Sequence, residues 1–207
     1  MSSRYLIPAL KPDSNHRAEE SIKKSRFIIS MAHAPDIETA KAFVSEIKEE
    51  FSDATHNCWA YAAGPPGDTA HVGMSDDGEP HGTAGKPMLS TLLHSDVGEI
   101  AVVVTRYFGG TKLGTGGLVR AYSGMVNLGL EDLPTKEKVD TIQMLVVIPY
   151  PAVTLFKRLL PEFEIEVAEE RFTDEAGFVL VMPEEHLSGF EAKLAELTDG
   201  RGRLELN

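Results

Sequence analysis

The chain has 207 residues, 42% of them apolar and 25% charged, with a formal net charge of −12 and one cysteine. These figures fit one large or two small globular domains, exclude an intramolecular disulfide, and argue against attraction to nucleic acid or anionic lipid over the whole surface. The longest wholly apolar runs, Ile100 to Val104 and Met144 to Pro149, fall far short of the roughly 20 residues that span a bilayer, so no membrane segment is expected.

Residues 1–12 hold a short apolar patch between Arg4 and Lys11. It is too short for the core of a signal peptide and reads as an opening strand, so the expected compartment is the reducing cytoplasm. Residues 26–34, rich in β-branched and aromatic side chains, predict a strand. Asp36 then stands as an N-cap before Ile37, Ala40, Phe43, Ile47 and Phe51, a helical period. Residues 57–63 predict a half-buried strand, Pro65 to Asp68 a turn, and Val72 to Ser75 a further short strand. A loop carrying Asp76, Asp77 and Glu79 follows, and then a helix over 87–94 with Pro87 in its first turn. The unbroken β-branched run after Glu99 predicts a central strand covered on both faces. Glycines 109, 110, 114, 116 and 117 interrupt it before Leu118, Val119, Tyr122, Met125 and Val126 resume a helical period. Leu133 to Thr135 and the charged residues after them predict a short linker. Beyond it lie a strand (140–148), a helix (151–160), two strands (164–171 and 177–182), a helix (184–197) and a strand (202–206). That is the βαββαβ order of a ferredoxin-like unit. The expected class is therefore α+β, in two domains, 1–135 and 138–207.

The glycine loop carries the most chemistry. A strand that passes through glycines into a helix leaves free amides at the helix start, where the dipole favours an anion. Lys86, Arg106, Lys112 and Arg120 outnumber the acidic residues between positions 80 and 130, so an anion site is expected there. Neither phosphate fingerprint is complete: Thr115-Gly116 stands where a P-loop needs Lys and Ser or Thr, and Val119 occupies the third glycine of a dinucleotide pattern. The other reading is that the glycines only supply positive φ angles and close helix–sheet packing.

Asp76, Asp77 and Glu79 present two further alternatives. They would hold a divalent cation or serve as an acid/base pair, or they form a solvated Asp-Gly turn. One of the three would also reach Arg106 and orient its guanidinium. His56 and Cys58 share a strand face, but one cysteine does not make a zinc site, and a lone strand cysteine is usually a small buried hydrophobe. His71 and His81 flank the carboxylate loop. Lys23, Lys24 and Arg26 form a basic cluster suited either to phosphates or to a solvated strand entrance. Tyr107 and Phe108 would serve as a stacking platform if exposed.

The stretches SDDGEPHGTAGKPML (75–89) and VVVTRYFGGTKLGTGGLVRAY (102–122), with KKSRFI (23–28), resemble the IMPACT family, and the resemblance extends over essentially the whole chain. It implies a ribosomal protein S5 domain 2-like fold for the N-terminal domain and an elongation factor G domain III/V-like, ferredoxin-like fold for the C-terminal one. It supplies no catalytic residues. The expected function is a non-enzymatic regulatory protein that binds RNA, the ribosome or a translation component. Its expected surface joins Lys86, Arg106, Lys112 and Arg120 with the backbone of Gly109, Gly110, Gly114, Gly116 and Gly117. The alternative is an enzyme or sensor for a small phosphorylated ligand, with magnesium held by Asp76, Asp77 or Glu79.

Overall fold

The computed structural model describes residues 4–12 and 14–206, so residues 1–3 of the expected opening strand lie outside the described part. The chain divides into two units, one of Tyr5–Lys138 and one of Val139 onward together with the first residues.

The larger unit is built on a five-stranded sheet in the order β2-β3-β6-β4-β5, from β2 (His16–Ile22), β3 (Ser25–His33), β4 (His56–Ala62), β5 (Val72–Ser75) and β6 (Ile100–Tyr107). Every pairing in it is antiparallel. Strand β6 lies in the middle and is buried from Ile100 to Arg106, as its apolar run predicts. That run signals cover on both faces, and an antiparallel sheet meets the condition as well as a parallel one. Helix α1 (Ile37–Glu50) covers one face, packing Phe43, Val44 and Ile47 against Ala101, Val103 and Tyr61. Helices α2 (Gly85–Leu93) and α3 (Thr115–Glu131) cover the other, packing Met88, Leu92, Tyr122 and Met125 against Phe27, Ile29, Val102 and Val104. Asp36 caps α1 as expected, accepting the Thr39 N–H at 2.7 Å.

Two elements of this unit depart from the sequence reading. Strand β2 was not expected: its residues HRAEESI lack an apolar alternation, and it forms an edge held by backbone pairing to β3 from Ile22↔Ser25 to His16↔Met31. Charged side chains suit an edge strand because they discourage further pairing. The expected linker is likewise structured. Residues Thr135–Val139 form β7, which pairs with β1 (Arg4–Pro8) in a two-stranded ribbon.

The smaller unit is a four-stranded antiparallel sheet in the order β11-β8-β10-β9, from β8 (Thr141–Ile148), β9 (Glu166–Phe172), β10 (Ala176–Pro183) and β11 (Arg203–Leu206). Buried residues alternate along β8 and β10, and the buried row packs under α4 (Val153–Leu159) and α5 (Leu187–Thr198). Phe156 joins the layers, its ring centroid 4.9 Å from that of Phe178 and 6.2 Å from that of Phe190. The helix expected over 151–160 is shorter than predicted. It gives way to a 3-10 turn over Leu160–Phe163, where Pro161 lacks the N–H that an α-helical turn needs. Among the described residues, no helix is long and apolar enough to cross a membrane.

A candidate anion-binding cleft at the end of the central strand

The even-numbered row of β6, Ile100, Val102 and Val104, faces α2 and α3, and the next residue of that row is Arg106. Strand alternation therefore sends the guanidinium inward, beneath α3. Arg106 is 5% exposed. Its Nη1 donates to Glu79 Oε1 at 2.5 Å and its Nη2 to Ser25 Oγ at 3.2 Å. The guanidinium lies between two rings, 5.3 Å from the centroid of Phe27 and 5.5 Å from that of Phe108. The same Glu79 oxygen accepts the Tyr122 hydroxyl at 2.9 Å, and the Tyr122 ring meets Phe27 edge-on. Burial, then the nearby thiol and carboxylate, push the Tyr122 hydroxyl far above its ordinary value, so it is a permanent donor. Arg106 Nε is buried and has no partner among the described residues.

Arg106 was expected as an exposed cation and is instead the floor of the site. The carboxylate that orients it is Glu79. Asp76 and Asp77 do neither of the jobs considered for them. Asp76 caps α2: Oδ1 accepts the N–H groups of Ala84 (3.0 Å) and Gly85 (2.9 Å), and Oδ2 accepts that of Gly82 (2.7 Å). Burial alone would raise its pKa, but those three amides outweigh it and hold the carboxyl below the usual range. Asp77 is treated the same way by Lys48 (2.5 Å) and the Asn57 N–H (2.7 Å). Asp77 at φ 44° and Gly78 at φ 87° turn the chain between the aspartates and Glu79. Each carboxylate is committed to a different partner, and the described residues contain no group of three or more His, Cys, Asp or Glu placed to hold a metal ion.

A cleft of about 360 Å³ opens above Arg106, lined by Glu79, Pro80, Phe108, Lys112 and Leu113 and, at the start of α3, by Gly114, Thr115 and Leu118. Gly114 is the N-cap residue at φ 74°, a conformation that favours glycine, and no side chain caps the helix. The first-turn amides of Thr115, Gly116 and Gly117 thus lack intrahelical partners and carry the positive end of the helix dipole. Two of the preceding amides are used internally. Phe108 N–H donates to Thr55 Oγ1 at 3.0 Å, and Gly109 N–H to Ser25 Oγ at 3.2 Å. Gly109 is a close-approach glycine, since a Cβ there would collide with the Lys24 carbonyl. Gly110 is exposed at φ 84° and serves the turn.

Of the residues expected at the site, Glu79, Arg106, Lys112 and Gly114 line the cleft. Gly116 and Gly117 lie in the adjoining helical turn, with the Arg120 guanidinium 4.0 Å from where a Gly116 Cβ would stand. Gly109 brings the Lys23–Lys24 turn against the loop. Lys86 is exposed on α2 and is not part of the lining. Ser25, Thr55, Phe27 and Tyr122 were not foreseen. Only Tyr122 left a signal, a phenol on an apolar helix face that needs a buried partner.

His56, His71 and Cys58 take structural roles, while His81 is exposed. Cys58 Sγ lies 2.9 Å from the Asp76 carbonyl, to which its one S–H donates, and 3.3 Å from the Tyr122 hydroxyl, and burial pushes its pKa up to about 12, which leaves it a thiol. His56 Nδ1 lies 2.8 Å from the Asp77 carbonyl, and His71 pairs with Asp68 at 2.6 Å. Arg26 is held by both oxygens of Glu19 at 2.7 Å.

A two-unit α+β chain, with a cation-rimmed cleft between a central strand and an uncapped helix, is the class of protein that the fold and site define. The sequence pattern of the Impact N-terminal domain matches residues 23–130, and that of a domain of unknown function (DUF1949) matches residues 146–201. The chain is 46% identical to "IMPACT family member YigZ" of Escherichia coli (strain K12), over 98% of its own length and 96% of the relative's. It is 42% identical to an "IMPACT family member" of Haemophilus influenzae, over 99% and 97% respectively. A crystal structure titled only as that of a hypothetical protein aligns over 99% of this chain and 97% of its own, at 42% identity and a TM-score of 0.66. The chain belongs to the IMPACT family. The two long motifs and the cleft they build lie within the part matched by the Impact N-terminal domain.

Proposed function

We propose that this protein binds the phosphate backbone of RNA, as part of the ribosome or of a translation component, at the face formed by the Lys23–Lys24 turn, the loop of residues 108–114 and the start of α3. The observation that carries this reading is the state of the cations. Elsewhere in the larger unit Arg17, Arg26, Lys48 and Lys138 are each paired with a carboxylate. Lys11, Lys41, Lys86 and Lys136 have no carboxylate partner among the described residues and do not line the cleft, and what sets this face apart is that four such cations gather on it. Lys23, Lys24, Lys112 and Arg120 are exposed and have no carboxylate partner among the described residues. Unpaired cations beside uncapped helix amides suit phosphate oxygens, while the net charge of −12 opposes indiscriminate binding over the rest of the surface. The β11-β8-β10-β9 order supports reading the smaller unit as ferredoxin-like.

The test is RNA association against salt. For single strands, log K against log salt falls with a slope of about −0.7 per neutralised phosphate. Wild type should show such a slope, and Lys24→Glu/Lys112→Glu should bind more weakly with a shallower one. Equal affinity of the two proteins with a flat salt dependence would overturn the reading.

A further inference from the structure

We propose that the cleft takes one unstacked nucleotide of a single strand, with its base on the open face of Phe108 and its phosphate at the amides of Thr115 to Gly117. This deepens the phosphate-binding reading and rests on it, but different observations carry it. Phe108 is 46% exposed although it lies beside the most buried strand of the molecule. One side of its ring rests on the Arg106 guanidinium, and its own N–H is anchored to Thr55 Oγ1. The ring is therefore held in place with a cation behind it and a face turned outward, the arrangement that stacks a base. Arg106 is more than nine-tenths buried in the floor of the cleft, with Nε unpartnered. It leaves one unpartnered N–H in the floor beneath a ligand that the helix amides would also meet.

Access to a ring face decides between a strand and a duplex. The cleft's volume of about 360 Å³ is at the small end of the roughly 300–1,000 Å³ of ligand sites and suits one nucleotide unit. A duplex keeps its base faces stacked inside and presents only groove edges, 2′-hydroxyls and backbone, so it has no ring face to offer Phe108. The walls, Pro80, Leu113 and Leu118, are apolar, and Glu79, the only carboxylate in the lining, is occupied by Arg106 and Tyr122. No side-chain amide is among the described lining residues.

The experiment measures fluorescence anisotropy of a short uridine oligoribonucleotide, free and annealed to its adenosine complement, with the full chain at fixed salt. The single strand should bind more tightly than the duplex. Phe108→Leu should lose roughly five- to 150-fold on the single strand, the range for one base–aromatic stack, and Phe108→Trp should restore it. Thermal melting of both variants checks that the fold is intact. If single strand and duplex bind equally and Phe108→Leu changes neither, while Lys112→Glu weakens both, this inference is wrong and the phosphate reading survives. If neither RNA binds wild type, both fall.

Discussion

Two carboxylates of the larger unit, Glu79 and Glu99, are each buried among donors, and the difference between them separates structure from site. Glu99 is 4% exposed at φ 51° and gathers Tyr5 OH at 2.9 Å, His33 Nε2 at 2.8 Å and the ammonium of Lys138. Its partners come from β1, β3 and β7, so the cluster fastens the two-stranded ribbon to the sheet. Burial works against the charged form, yet Lys138, His33 and Tyr5 together hold the carboxyl below its ordinary value of 4.5. Glu79 instead spends a single oxygen on Arg106 and Tyr122, leaves Arg106 Nε without a partner, and sits under an open cleft. A buried charge is costly unless it is paired and its hydrogen bonds are met. Where the donors are used up locally the cluster acts as a fastening, and where a charged donor remains beside open space it can receive a ligand.

Glu79→Ala should give the largest effect. It leaves Arg106 buried without its counter-charge, and urea unfolding should show a loss of about 3–5 kcal/mol. A loss below 1 kcal/mol would mean that the cleft floor is solvated and the contrast with Glu99 unreal. Glu99→Gln should cost about 2–3 kcal/mol at neutral pH, as charge-assisted bonds are replaced by neutral ones. Its pH signature is distinct. Because the folded-state pKa of Glu99 is depressed, its contribution is complete above the ordinary value of 4.5 and is lost as pH falls through the lower folded value. Melting temperature followed below pH 4.5 should therefore decline less steeply in Glu99→Gln than in wild type.

Gly109→Ala should follow, at about 1–3 kcal/mol, because its Cβ meets the Lys24 backbone rather than a yielding side chain. Gly116→Ala is the control within the same loop and helix. Its Cβ meets nothing nearer than the Arg120 guanidinium at 4.0 Å, so its stability should stay within about 1 kcal/mol of wild type. Similar losses for the two would remove the distinction between packing glycines and helix-start glycines. Smallest of all, Lys24→Glu and Lys112→Glu should change stability by no more than about 0.5 kcal/mol, since neither cation has an internal partner. A large loss in either would reassign that lysine from the binding rim to the fold.

The elements that were legible in the sequence are those whose signal is local. The apolar run of β6, the Asp36 cap with the periodic face of α1, and the passage from strand through glycines into α3 all stand within a few residues of one another. Strands β2 and β7 were not legible, because polar residues become strands there only through partners elsewhere in the chain. The candidate site follows the same division: its glycine loop is a local signal, whereas the burial of Arg106 and the separate partners of Asp76, Asp77 and Glu79 depend on residues distant in the chain.

By itself, the sequence determined the alternation of strand and helix, the buried central strand, and the position of a glycine-interrupted, locally cationic loop at its end. Only the tertiary structure decided which charges turn inward. Arg106 meets Glu79 across 27 positions and Ser25 across 81, so its burial is set by strand register and helix packing rather than by any neighbouring residue. The lysines of the rim stay outside for the complementary reason: the fold brings no carboxylate to meet them.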